Sequence, residues 1–232
     1  MQNVRDEFER REKEVNVFFK FLRQTLETDA KLIFEGKKTW KRRPIDVSLP
    51  KILKSSAYLV LYNLVESTVT LALARLNGAM SEDGLTYADA DECIRKLWVD
   101  SCLKDLAAGA DHGTYLEVVR KLAQDVQDGQ IVEIPAKFSP VSGNLDARKM
   151  RELAGAYGFP ENTLTAKRGS EKLRLVKERR NDLAHGDKSF AELSADDTIE
   201  DLEKTKNHVL AYLREFLRHV RVHVEQQGYR AS

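Results

Sequence analysis

The stretch from Pro50 to Asn77 constrains the fold more than any other part of the chain. Its residues are apolar on nearly all sides of a helix, and Pro50 stands where a first helical turn tolerates a missing N–H. Such a helix is stable in water when other helices surround it. The sequence therefore predicts an all-α helical bundle, a single domain over residues 1–232, with this segment as its central helix.

Amphipathic periodicity and turn residues place the other elements around that helix. Long helices are predicted at both ends, at about Val4–Phe34 and from Thr198 to about Gln227, the latter opened by a capping box of Thr198 and Asp201. Shorter helices are predicted at Tyr87–Leu106, Tyr115–Val126, Leu145–Tyr157 and Ser170–His185. Loops are expected at Gly36–Ser48 and Gly78–Gly84, and an irregular segment at Ile131–Asn144, with a brief strand at Ile131–Ile134 as one option.

Composition narrows the class of protein. The 232 residues include 5 Pro and 12 Gly, which fits a mostly helical chain, and a net charge of +1 gives no global field to attract nucleic acid. The first ten residues contain no apolar signal region, and the run Ala57–Val65 is far shorter than the ~20 residues of a membrane span. Cys93 and Cys102 lack metal-ligand spacing and are typical of reduced core thiols. We expect a cytoplasmic protein without membrane contacts.

The tract from Arg179 to Gly186 carries the clearest chemistry. Arg180 falls in the middle of an apolar stripe at helical spacing. That stripe consists of Leu173, Val176, Leu183 and Ala184. An arginine directed at a core is expected to have an ion-pair or hydrogen-bond partner or a function, because burying an unpaired charge is energetically costly. Gly186 is predicted to end the helix as a left-handed cap, which leaves His185 on the last turn.

Arginine holds phosphate through paired hydrogen bonds, and histidine moves protons near neutral pH, so this tract is a candidate for cutting RNA without a metal. Spacing alone is weak evidence, because the pattern recurs at Arg214/His219 and Arg218/His223 within the last helix. The alternative interpretation is an ordinary helix end with an ion-paired structural Arg180. His219 and His223 are one turn apart and make a weak candidate for zinc, and no metal site is predicted.

Glu66 is a carboxylate within an apolar stripe of the central helix. The stripe consists of Leu59, Tyr62, Val69 and Leu73, with Asn63 and Ser67 beside it. We predict that Glu66 pairs with Arg180 and holds its guanidinium, with Asn63 in a supporting position. The alternative is that Glu66 lies at an end of the bundle and is solvated.

Two basic segments are candidates for holding RNA. The motif helix carries Lys172, Arg174, Lys177 and Arg179. The loop after the first helix combines cations with one aromatic ring, at Lys38, Trp40, Lys41 and Arg42, which suits phosphate contact and base stacking. A solvated charged surface is the alternative for both.

Arg180-Asn181 followed by Leu183-Ala184-His185-Gly186 resembles the motif of the HEPN superfamily (higher eukaryote and prokaryote nucleotide-binding domains). The likeness extends to Tyr62–Glu66, to Gly143–Asp146, and to Asp201-Leu202 with Tyr212-Leu213, and covers about residues 4–229. These segments resemble one bacterial subgroup of small stand-alone HEPN proteins associated with toxin and defence loci.

The resemblance implies a helical bundle that forms a symmetric homodimer and binds RNA in a cleft between two motifs. It also implies a metal-independent endoribonuclease without a cofactor, in which Arg180, Asn181 and His185 take the motif roles. A partner protein such as an antitoxin fits that setting. Some superfamily members only bind, so a non-catalytic binding or adaptor module is the alternative.

Helix geometry independently favours two chains at one site. On an ideal helix Arg180 and His185 differ by ~140° in azimuth and ~7.5 Å in rise, so they do not share a face. Either the helix unwinds near Gly186, or each phosphate is served by residues of two subunits related by a two-fold axis.

Overall fold

Eight helices and one two-stranded antiparallel sheet make up the described part of the chain in this computed structural model. The structure describes residues 1–27, 30–35, 39–103, 112–134, 144–160 and 167–231. The elements are α1 Gln2–Thr25, β1 Lys31–Glu35, β2 Trp40–Pro44, α2 Leu49–Glu82, α3 Glu92–Leu103, α4 His112–Gln127, α5 Ala147–Ala156, α6 Lys167–His185, α7 Phe190–Leu193 and α8 Ile199–Glu225. The predicted mostly helical fold is confirmed.

Helix α2 is the centre of the bundle. It packs against α1, α6, α7 and α8, and its buried residues run from Lys54 to Met80. By length and composition alone α2 could span a membrane, but 56% of its most apolar window is buried. The core helix of a soluble bundle has this same character.

The loop predicted at Gly78–Gly84 is wrong, because α2 continues to Glu82. Ala79 and Met80 are buried and carry the apolar pattern one turn further, so a single glycine does not end the helix. The chain turns instead at Gly84, whose φ of +59° is a left-handed conformation.

The first helix is shorter than predicted, and a β-hairpin follows it. Helix α1 ends at Thr25, and β1 pairs in antiparallel register with β2, so that Glu35 faces Trp40 and Ile33 faces Arg42. The prediction of a helix to Phe34 and of an irregular loop to Ser48 is therefore wrong. Apart from the half-buried Leu32, every residue of the two strands is exposed, so core packing does not select helix here.

The remaining element bounds follow from local hydrogen bonds. Helix α3 begins at Glu92 rather than Tyr87, since the Asp91 carboxylate accepts from the Cys93 amide. The brief strand considered at Ile131–Ile134 is reduced to an isolated bridge between Ile131 and Thr86. At the start of α8, the Thr198 hydroxyl accepts from the Asp201 amide, as expected of a cap.

Candidate active site

The motif helix α6 lies between α2, α5 and α8. Leu173 and Val176 are buried and fix its rotation about its axis. The segment that follows α6 is bound to the first turns of α2, where the Lys54 ammonium donates to the Ala195 and Asp197 carbonyls. The motif therefore lies along the N-terminal half of α2, and His185 lies towards that end.

The Arg180 guanidinium lies over an aromatic ring. Its central carbon is 4.9 Å from the centroid of the Tyr62 ring, and Nη1 donates to the Asn181 side-chain oxygen at 3.1 Å. Arg180 is half-buried. A cation over an aromatic face is stabilised by the ring quadrupole without losing its hydrogen-bond donors. The remaining guanidinium N–H groups can therefore meet a phosphate.

The predicted Glu66–Arg180 ion pair is not formed, since no ion pair within 4.0 Å joins these two among the described residues. Tyr62 stands one helical turn before Glu66 and takes the place predicted for the carboxylate. Glu66 is half-buried, and Asn63 is exposed, where its side-chain oxygen accepts from Arg11 at 3.2 Å.

A second set of hydrogen bonds fixes Asn181, the polar residue of the motif. The Asn181 amide nitrogen donates to the Asn144 side-chain oxygen at 2.9 Å. The next backbone amide, Leu145, donates to the Tyr62 hydroxyl at 3.1 Å. Burial raises the pKa of the Tyr62 hydroxyl, so the ring stays neutral at physiological pH. Arg180, Asn181, Asn144 and Tyr62 thus form one connected cluster.

Sequence reasoning missed Tyr62 and Asn144 as site residues. Both stand in the segments that carry the family resemblance, at Tyr62–Glu66 and Gly143–Asp146. A signal was therefore present, but helical periodicity gave no reason to place either side chain beside Arg180 or Asn181.

Lys177 is engaged within the protein. Its ammonium is 2.6 Å from Asp146 Oδ2, with side-chain exposures of 21% and 9%. Burial alone would raise the pKa of the Asp146 carboxyl, but the Lys177 ammonium and the Lys149 amide outweigh it and hold that pKa below its ordinary value. Asp146 also caps α5. This pair joins α5 to α6 and leaves Lys177 poorly placed for RNA.

Arg179 is likewise directed inwards. Its Nη1 donates to the Leu193 carbonyl at 3.0 Å, and its guanidinium lies 6.0 Å from the Tyr58 ring centroid. The Tyr58 hydroxyl donates to Asp197 at 2.9 Å, and burial raises the Tyr58 pKa. Arg179 therefore anchors the segment after the motif.

His185 lies on the last turn of α6 and is exposed. Gly186 follows with φ +75°, and the Asp187 amide donates to the Asp182 carbonyl, which confirms the predicted left-handed helix end. Arg180 therefore lies against α2, whereas His185, five residues later, is open to solvent at the end of α6.

The other candidate RNA contacts lie at the surface. Arg174 pairs with Glu178 at 3.0 Å, and Lys172 is half-buried on the same helix. Trp40, Lys41 and Arg42 lie exposed on β2, and Lys38 is outside the described residues.

Two of the three histidines of α8, His219 and His223, belong to the core. Both are 7% exposed, and the His223 ring lies 5.7 Å from Phe159 and 6.0 Å from Tyr229. Burial lowers the pKa of both imidazoles. Within the described ranges, no group of three or more His, Cys, Asp or Glu side chains could hold a metal ion.

Comparison with known families agrees with the motif. A family model described as HEPN_MAE_28990-like HEPN matches residues 1–229. The chain belongs to this HEPN family. Comparisons with curated proteins and with solved structures found no match. HEPN membership places the protein among nucleotide-binding and RNase-type modules.

Proposed function

We propose that this HEPN protein is a metal-independent endoribonuclease. The observation that carries the proposal is the arrangement around Arg180. Tyr62 supports the guanidinium from one side and Asn181 from another, while the exposed His185 follows five residues later at the helix end. A guanidinium held by a neutral ring keeps its charge available for an anion.

The reaction is an in-line displacement at phosphorus. His185 takes the proton of a ribose 2′-hydroxyl as the 2′-oxygen bonds to phosphorus. Arg180 stabilises the charge that grows on the non-bridging oxygens. The bond to the 5′-oxygen breaks, and that oxygen receives a proton from a second His185. The products are a 2′,3′-cyclic phosphate and a 5′-hydroxyl, and DNA is not cut because it lacks the nucleophile.

A homodimer supplies the second imidazole. Exposed apolar residues on α1 and α2 offer apolar surface for such an interface, with Leu71 of α2 at 37% and Val17 and Phe21 of α1 at 68% and 45% exposure. A two-fold axis near α6 would set the His185 of one subunit beside the Arg180 of the other.

Within this proposal the protein acts as a toxin or an anti-phage defence effector in the cytoplasm, held inactive by a partner protein. The support is the resemblance to stand-alone toxin and defence HEPN proteins. Expression of the wild-type chain should arrest growth, whereas Arg180→Ala and His185→Ala should be harmless although folded.

Cleavage of RNA by purified protein in the presence of EDTA tests the activity itself. We expect cleavage with cyclic-phosphate ends, a loss of roughly 10²–10⁴-fold for His185→Ala and of roughly 10²–10³-fold for Arg180→Ala. His208→Ala and Arg148→Ala, which change the same residue types elsewhere, serve as matched controls. Loss of cleavage in EDTA with the fold intact contradicts the mechanism. RNA binding by a folded wild type without cleavage assigns the protein to the non-catalytic binding modules.

A further inference from the structure

The β1–β2 hairpin has a face that no part of the described chain covers. Direct partners in an antiparallel pair share a face, so Trp40 and Arg42 lie together with Glu35 and Ile33. Trp40 is 66% and Ile33 57% exposed. On the opposite face Arg43 lies over the Phe34 ring at 5.6 Å, so that side is occupied by its own residues.

The charge of the hairpin points to an anionic partner. Its two strands carry Lys31, Lys41, Arg42 and Arg43 against the single carboxylate of Glu35. With net charge +1 for the whole chain, this is a local concentration of cations. On the uncovered face, an exposed indole beside the Arg42 guanidinium matches a base beside its phosphate.

The hairpin is attached at the end of α2 towards which His185 lies. Strand β2 ends at Pro44, and α2 begins at Leu49. Lys54, ~7.5 Å further along the helix axis, donates to Ala195 and Asp197 in the segment that follows the motif. The hairpin and the segment that follows His185 are therefore both joined to the first turns of α2.

We propose that the Trp40–Arg42 face of this hairpin holds single-stranded RNA, with a base stacked on the Trp40 ring and Arg42 on an adjacent phosphate. The inference rests on the proposed endoribonuclease and names its substrate class. Bases in a duplex are already stacked and paired, so an exposed indole selects unpaired nucleotides.

Binding to a fluorescein-labelled single-stranded RNA, measured by anisotropy in a His185→Ala background, tests the proposal without cleavage. Trp40→Ala should weaken binding roughly five- to hundredfold, the range of one stacked base, and Trp40→Phe should restore most of it. Arg42→Ala should lower the salt dependence of log K by ~0.7. Tyr115→Ala and Lys96→Ala remove an exposed aromatic and an exposed cation elsewhere and should have no effect.

Three further measurements decide the assignment. Fully paired RNA should bind with no dependence on Trp40, whereas single-stranded DNA should show the same dependence, since base and phosphate are shared. Equal affinity of Trp40→Ala and its parent for single-stranded RNA overturns the proposal. A changed oligomeric state with unchanged RNA affinity also overturns it and assigns the hairpin to a protein contact.

Kinetics separate this proposal from the catalytic one. In the His185-containing enzyme, Trp40→Ala should raise KM and leave kcat nearly unchanged. RNA cleavage with a KM that does not depend on Trp40 would contradict the RNA-binding role of the hairpin but not the endoribonuclease proposal. Binding of single strands through Trp40 without any cleavage would contradict the endoribonuclease proposal but not the RNA-binding role of the hairpin.

Discussion

Tyr62 determines how Arg180 is presented to a ligand. The ring is 3% exposed and lies directly beneath the guanidinium. It supports the cation without neutralising it, whereas a carboxylate at the same place would compete with phosphate. We therefore regard Tyr62 as a positioning residue.

Replacing Tyr62 by leucine should remove the aromatic face and keep most of the volume. A cation over an aromatic ring contributes about 0.5–2 kcal/mol, so we expect kcat/KM for RNA cleavage to fall about 2- to 30-fold, mostly through kcat. Tyr62→Phe keeps the face and should retain most of the activity, although it loses the bond from the Leu145 amide. Equal losses in both variants would show that the hydroxyl, not the ring, matters.

The Lys177–Asp146 pair makes stability depend on pH in a defined direction. The folded-state pKa of Asp146 is depressed, so its contribution is present above the unfolded pKa of about 3.9 and is lost as the pH falls through the folded value. Asp146→Asn keeps a good helix cap and removes the charge.

At pH 7 this variant should unfold with a free energy about 1–3 kcal/mol lower than wild type. Urea denaturation between pH 7 and pH 2.5 should show the difference shrinking on the acid side. A difference that stays constant down to pH 2.5 would rule out the ion pair as its source.

At the scale of elements, contacts with α2 hold the segment of residues 190–197, which follows the motif helix, in place. The Lys54 ammonium is buried and donates to two carbonyls, and Ser55 donates to the Phe190 carbonyl. Arg179 adds a bond to Leu193 from the motif helix itself. These contacts hold the chain that leads away from His185.

Replacing Lys54 by methionine should release this segment. Two carbonyls lose their partner, so we expect a loss of about 1–3 kcal/mol in stability and faster amide exchange at residues 190–197. Lys51→Met changes an exposed lysine one turn earlier and should leave exchange as in wild type. Unchanged protection at residues 190–197 in Lys54→Met would mean that the other contacts suffice.

The elements that could be predicted from the sequence are those whose apolar residues pack into the core or whose ends carry cap residues. The central helix α2 and the capped start of α8 follow from period and cap residues, and both are observed. The hairpin was missed because Ile33 and Phe34 are exposed, so their spacing carries no core signal. The contact between Arg180 and Tyr62 was not predicted. Helical periodicity shows that Tyr62 and Glu66 lie on the same face of α2, one turn apart, but it does not show which of the two contacts Arg180.

For the whole molecule, the central question is how Arg180 and His185 meet. The Arg180 guanidinium lies over Tyr62 of α2, and His185 is exposed at the end of α6. In the proposed mechanism a second subunit brings the two groups to one phosphate, so the proposed activity would belong to a dimer rather than to the single chain.

Mixing wild type with the inactive His185→Ala variant tests that claim most directly. The two proteins are unfolded together, refolded at a 1:1 ratio, and assayed for RNA cleavage against each protein refolded alone at the same total concentration. If each cut uses the imidazoles of both subunits, mixed dimers are inactive, and only the wild-type dimers, about a quarter of the total, should cut. A mixture that retains about half of the wild-type rate would contradict a site that takes one imidazole from each subunit.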